Sequence, residues 1–299
     1  MTLPILGNLS DKLTSLAANM PRSLVVFTGR VFGTIAYALD HRHRQIVVSN
    51  LQFTHPDWPN NRIRKLCVRV FQNFGIAILE ILQLACMSGE DILRRVNIRG
   101  KQNLINALEG SNGIIAISAH IGNWEMSPLF VSNYFGKRVV SVARQVSPEP
   151  LDRWIHWLRT RFGNTIIDKK GALPTMARTL KKGNILGILI DQGTKRAEGV
   201  EVTFFGKTTT ATPVAAMLAR RFDSTVLLSY CIREPGEYLT LVIEPPLHLQ
   251  KTDDVRTDVN INTQIMTDAV EKAVKAYPEQ WFWFHKRWKR HFPHLYKEN

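Results

Sequence analysis

Gly113-Ile114-Ile115-Ala116-Ile117-Ser118-Ala119-His120-Ile121-Gly122-Asn123-Trp124-Glu125 is the stretch on which the fold turns. Its apolar run, opened by the turn-forming Ser111-Asn112-Gly113, reads as a buried strand. A histidine follows directly, with a carboxylate five residues on, which is the outline of a general base and its orienting acid. On one continuous helix, five residues amount to about 500° of rotation, leaving the two side chains roughly 140° apart. His120 is therefore expected in the strand-to-helix turn, with Asn123 near the helix N-cap and Glu125 in the first turn, reaching back toward the imidazole. The plainer alternative is a satisfied loop histidine beside a surface glutamate, and spacing alone does not choose.

Outward from this stretch, short apolar runs alternate with helical ones. Strands are expected at 113–118, 138–143, 185–190, 225–231 and 239–244, and helices at 124–133, 150–162, 172–182, 211–221 and 262–276. This alternation predicts a single α/β domain with a central mixed, largely parallel sheet flanked by helices. Upstream, Ile63, Leu66, Val70, Phe71, Phe74, Ile78, Ile81 and Leu82 recur at steps of three and four, predicting a long amphipathic helix. Three strands run into a polar residue: the first into His120, the second into Arg144, the third into Asp191. Parallel strands would bring these to one edge, where open α/β sheets bind ligands.

Other chemistry is weaker. Gly206-Lys207-Thr208 imitates the end of a phosphate-binding loop, but the required first glycine is Glu201. Ser118 shares the His120 side of its strand, yet nothing marks it as activated, and a bond to the backbone is the expected role. His120 has no second histidine at metal-binding spacing. No metal or cofactor is expected.

The chain has 299 residues, with Lys+Arg 39 against Asp+Glu 25, a formal charge of +14. Such an excess favours an anionic partner: nucleic acid, an anionic membrane surface, or an acidic substrate or carrier. Cys67, Cys86 and Cys231 form no paired motif and suit a reducing compartment. Asp11 and Lys12 stand where a secretory signal would need an apolar core. Residues 23–39 are short for a membrane span and carry Arg30 near the centre, so an amphipathic, membrane-lying helix is expected. In residues 281–297, aromatics alternate with Lys286, Arg287, Lys289 and Arg290. That mixture suits single-stranded nucleic acid or a lipid interface; the plainer reading is a buried aromatic edge strand, 281–284, and a solvated basic turn.

His120-Ile-Gly-Asn-Trp-Glu125 resembles the H-x4-[DE] motif of glycerolipid-type acyltransferases. Further pieces are similar, in order, to the bacterial lipid A late acyltransferases: Ala143-Arg144-Gln145, Pro150-Leu151-Asp152, Asp191-Gln192, Val202-Thr203-Phe204-Phe205-Gly206-Lys207, Ala211-Thr212-Pro213 with Leu218-Ala219-Arg220, and Pro278-Glu279-Gln280-Trp281-Phe282-Trp283-Phe284-His285-Lys286-Arg287. The resemblance implies a glycerolipid acyltransferase-like fold on the cytoplasmic face of a bacterial inner membrane. Residues 1–60 would form an apolar, membrane-proximal helical segment and 61–299 the α/β acyltransferase domain. It implies an acyl-acyl carrier protein donor and a lipid A precursor acceptor, both anionic like the membrane surface, and no nucleic acid. His120 would then be the base and Glu125 its support. Arg144 would meet the oxyanion or an acceptor phosphate, or instead pair with Asp191; Asp191 and Gln192 would shape the site, and Asn123 would add a polar contact.

Overall fold

The computed structural model describes residues 20–110, 112–235 and 238–296. The signal-sequence reading of the first nineteen residues, Ser111 of the opening turn and Lys297 at the end of the basic stretch lie outside these. The chain runs through α1 (Arg22–Leu39), α2 (His41–Thr54), α3 (Asn60–Leu84), α4 (Gly89–Arg95), β1 (Val96–Arg99), α5 (Lys101–Glu109), β2 (Ile114–Ser118) and α6 (Met126–Phe135). It continues through β3 (Val139–Ala143), α7 (Glu149–Thr160), β4 (Thr165–Asp168), α8 (Leu173–Lys181), β5 (Ile185–Leu189), β6 (Val200–Phe204) and β7 (Lys207–Ala211). It ends with α9 (Val214–Phe222), β8 (Thr225–Arg233), β9 (Leu239–Ile243) and α10 (Val255–Ala276).

Among the described residues, seven strands form one sheet in the order β1-β9-β8-β2-β5-β3-β4, in which only the β8–β9 pairing is antiparallel. The fold is thus α/β with a mixed, largely parallel central sheet. Every anticipated strand lies within a residue or two of its expected place. The edge strands β1 and β4 were not anticipated, being four residues long and part polar. The β6–β7 hairpin is a separate two-stranded unit, and Phe205-Gly206 is its turn, with both residues at positive φ; no strand leads from it into a phosphate-binding helix. Helix α10 starts earlier than expected because the Asp254 side chain caps it, accepting from the Arg256 and Thr257 N–H groups.

The central strands present two unlike faces. Ile115 and Ile117 of β2, Leu186 and Ile188 of β5, and Val226 and Leu228 of β8 point to one side and are buried. Helices α9 and α10 pack there. The other side shows Ala116, Ser118, Ser141, Gly187, Leu189 and Ser229 beneath α6, and a cavity remains over them. Period-two alternation thus gives one face large side chains throughout, while the other is small at Ala116, Ser141 and Gly187 and aliphatic again one row lower, at Ile114, Val139 and Ile185.

Position 60 marks no break in packing: Val47 and Leu51 of α2 share the first core with Ile63, Ile117 and Trp288. Helix α1 lies hard against α3, where a Cβ at Gly29 would stand 2.5 Å from the Ile76 Cα. Its other side exposes Leu24, Phe27, Val31, Phe32, Ile35 and Leu39. The chain bends by 93° between α1 and α2, and among the described residues α3 is the single helix long and apolar enough, by length and composition, to cross a bilayer.

Candidate active site

The strand register assembles the site. Ser118 of β2 pairs with Leu189 of β5, and two residues beyond each stand His120 and Asp191. Asp191 Oδ1 lies 2.8 Å from His120 Nδ1, while Oδ2 accepts from the His120 backbone N–H and the Trp281 indole N–H, each at 2.9 Å. Asp191 is buried and His120 nearly so. An ionised carboxylate can only accept, so Nδ1 carries the proton and Nε2 keeps its lone pair. Burial opposes charge on His120, but the Asp191 carboxylate, by charge and hydrogen bond, raises the imidazole above the ordinary histidine value. Burial likewise penalises the Asp191 carboxylate, yet His120 and its bonds hold it well below the usual carboxylate range.

The turn carrying His120 is pinned from two directions. Gly122 N–H donates to the Gln280 carbonyl at 2.9 Å, Asn123 N–H to the Cys231 carbonyl at 2.8 Å, and Phe282 N–H to the His120 carbonyl at 2.9 Å. Gly122 has φ +57°, and a Cβ there would fall 2.1 Å from the Cys231 oxygen, so only glycine fits. Ser118 Oγ donates to the Ser229 carbonyl at 2.6 Å, the backbone role expected for it.

Glu125 does not reach the imidazole as expected. It stands at the start of α6, turned toward α7, where Arg159 binds it through Nε at 2.8 Å and a terminal nitrogen at 2.6 Å. The Trp124 indole donates to the same carboxylate at 3.0 Å. With its oxygens engaged, Glu125 acts on His120 only as a nearby negative charge; the orienting contact belongs to Asp191. The expected substrate contact of Asn123 is also corrected. Its Oδ1 accepts the Met126 N–H at 3.2 Å, a cap-like bond, but its buried amide faces Glu80 at 3.4 Å, away from the cavity. Glu80 is in turn held by Arg233 at 3.0 and 2.7 Å.

Arg144 does not pair with Asp191, whose oxygens are taken. It follows Ala143, which pairs with Asp168, so Arg144 and Lys169 leave neighbouring strand ends together, both exposed. Burial and then the Arg144 charge lower the Lys169 pKa. Gln192 is exposed beside them, and all three line the mouth of a cavity of about 880 Å³ whose wall also includes His120, Glu125 and Arg159. Arg159 and Lys169 were missed by sequence reasoning, because neither lies near His120 in the chain. No group of His, Cys, Asp and Glu able to hold a metal occurs among the described residues.

Trp281, Trp283 and Phe284 are buried and Phe282 half-buried, but not as a strand: a single bridge joins Trp281 to Ile121. Strand alternation would send Trp283 and Phe284 to opposite sides, whereas the turn here buries both. Trp281 and Trp283 meet edge to face at 4.6 Å. Nor is the basic turn wholly solvated: Arg287 is 2% exposed, stacked over Phe204 at 5.2 Å, with burial pushing its pKa down to about 10.

A buried His–Asp couple at the carboxyl edge of a parallel sheet, above an apolar cavity with a cationic mouth, is the equipment of an α/β group-transfer enzyme. The chain belongs to the bacterial lipid A biosynthesis acyltransferase family, whose model matches residues 12–290. It is therefore an acyltransferase. It is 24% identical to the lipid A biosynthesis lauroyltransferase of Escherichia coli, over 92% of this chain and 88% of that one. The lipid A biosynthesis palmitoleoyltransferase of the same organism is 22% identical, over 90% and 86%. A phosphatidylinositol mannoside acyltransferase of Mycobacterium tuberculosis is 25% identical, over 73% and 68%. Among solved structures, the 1-acyl-sn-glycerophosphate acyltransferase PlsC of Thermotoga maritima covers 86% of this chain and 97% of its own at 14% identity, with a TM-score of 0.37, a likeness too loose to argue from.

Proposed function

We propose that the enzyme moves an acyl chain from an acyl carrier protein thioester to a hydroxyl of a lipid A precursor. The observation that carries this reading is the His120–Asp191 couple at the rim of a cavity with an apolar interior and a cationic mouth. Neutral His120 takes the acceptor hydroxyl proton on Nε2 as the oxygen attacks the thioester carbon. Asp191 fixes the tautomer and stabilises the imidazolium. The new C–O bond forms, the C–S bond breaks, and the sulfur leaves as a thiolate of pKa about 8.5, which then takes the proton back from the imidazolium. No acyl-enzyme is required.

Glu125 and Arg159 support this chemistry by holding the first turn of α6, and Glu125 adds negative charge near the imidazolium. Arg144 and Lys169 suit phosphate at the mouth, on the donor or on the acceptor. The acidic carrier, the anionic acceptor and an anionic leaflet are all drawn to a +14 chain. The exposed apolar side of α1 lies against the cytoplasmic face of the inner membrane; flotation with anionic vesicles checks this attachment.

His120→Ala, confirmed folded, should lose at least about a hundredfold in acyl transfer from the carrier-protein thioester to the lipid A precursor. Near-normal turnover would sink the mechanism. The relative named for phosphatidylinositol mannoside favours a second acceptor, another glycolipid, and offering both acceptors to the wild-type enzyme separates the two readings.

A further inference from the structure

The cavity runs down one strand. Below His120 and Asp191, it is lined along β5 by Leu189, then Gly187, then Ile185. At 3.3 Å per residue, the depth from Asp191 to Ile185 is about 20 Å, and Gly187 stands about 13 Å down. Gly187 pairs with Ala116 on one side and Ser141 on the other, so the strands are in register where all three side chains are small. One row lower, Ile185 pairs with Val139, and both are buried.

Gly187 is the telling residue. A glycine inside a strand weakens it, and such a position often marks a close approach by something else. Its φ is not in the left-handed region, so the backbone does not require glycine. A Cβ would meet Ser141 Oγ at 3.2 Å and Val139 Cγ1 at 3.4 Å, neighbours that can give by a few tenths of an ångström. Gly122, at positive φ and facing a carbonyl, has neither freedom. What the missing side chain provides at 187 is open volume. A second observation points to a guest: Ser127, 6% exposed, lines the same cavity, and its hydroxyl has no partner among the described residues. The two ends differ in kind. The top carries Arg144, Lys169 and Gln192 in solvent, and the lower lining is aliphatic and buried, at Leu104, Val139, Ile185 and Ile243.

We propose that the donor's acyl chain descends along β5, that Gly187 keeps its path open, and that the Val139–Ile185 pair stops its methyl end. These residues set which chain length the enzyme transfers. The inference rests on the acyl-transfer reading above and adds to it the residues that measure the chain. A side chain at 187 excludes the part of a long chain that reaches past it, whereas a smaller residue at 185 deepens the floor.

The test is a competition assay, in which a length series of acyl-acyl carrier proteins is offered together and the products are weighed by mass spectrometry. The variants are Gly187→Ala, Gly187→Val, Gly187→Leu and Ile185→Ala. The 187 series should shift the products stepwise toward shorter chains, changing the long-to-short ratio about tenfold or more for each methylene excluded. Ile185→Ala should shift them toward longer chains. The ratio is read within one enzyme sample, so partial unfolding lowers all products together and leaves it unmoved. Unchanged ratios in both directions overturn the placement of the chain while leaving acyl transfer intact. A wild-type enzyme that transfers no chain overturns the reading beneath it.

Discussion

The two faces of the central sheet are made by alternate residues of the same strands, and they are built for opposite ends. On one face Ile115, Ile117, Leu186, Ile188, Val226 and Leu228 are buried against helices. On the other, Ala116, Gly187 and Ser141 leave a cavity of about 880 Å³. Dense packing supplies stability, since each buried aliphatic side chain contributes roughly 1.5–3 kcal/mol. At Ala116, Ser141 and Gly187 the hollow face gives up that contribution and gains room for a substrate. One strand thus serves both purposes, and the residues that matter for folding and for chemistry interleave rather than segregate. Substitutions on the two faces should therefore fail in different assays.

The largest expected effect lies where the hollow face ends, at Asp191. Asp191→Asn removes the carboxylate that raises the His120 pKa and fixes its tautomer. Acyl-transfer kcat/KM should fall on the order of 10²- to 10⁴-fold. The pH profile carries a sign. In the wild type the base is active when neutral, so kcat/KM should rise with pH through a midpoint above the ordinary histidine value of 6.5. In the Asn variant that midpoint should move to lower pH. Asp191 also links pH to stability: with a folded pKa below its ordinary 3.8, it stabilises the fold above that value, and the gain is lost as pH falls through the folded pKa. An Asn variant with wild-type rate and an unmoved profile would remove Asp191 from the mechanism.

The second test belongs to the filled face. Ile117 is fully buried, one residue from Ala116 on the same strand. Ile117→Ala should cost about 2–5 kcal/mol in unfolding free energy, measured by chemical denaturation, from lost transfer energy and the void left behind. The folded fraction should keep its kcat. A loss below about 1 kcal/mol would mean that this face is not close-packed.

Much of this arrangement was legible in the sequence, and what was not has a common cause. The apolar runs and their alternation revealed the five main strands, because each contributes apolar residues to a buried core. The polar residues at three strand ends were visible for the same reason. Sequence, however, does not carry strand order. The partner of His120 sits 71 residues away on the strand that happens to lie beside β2, while Glu125 is near only along the chain. Arg159, 34 residues from Glu125, was hidden in the same way. The short edge strands and the small helices α4 and α5 bury too little to leave a periodic signal. The turn at 281–288 was misjudged because consecutive aromatics look like a strand, whereas here a turn buries the neighbouring Trp283 and Phe284 together.

The smallest expected change in stability is also the sharpest probe of the comparison. Ala116→Ile puts on the hollow face the same bulk that Ile117→Ala removes from the filled one. In a packed core such an insertion costs about 1–3 kcal/mol, because neighbours must leave their rotamers. Here the added atoms enter open volume beside Gly187, and a β-branched side chain suits a strand. Unfolding free energy should change by less than about 1 kcal/mol. Long-chain transfer should fall nonetheless, because the same space is what the acyl chain needs. A variant destabilised as strongly as Ile117→Ala would mean that the two faces are equally packed, and the division of labour between them would be lost.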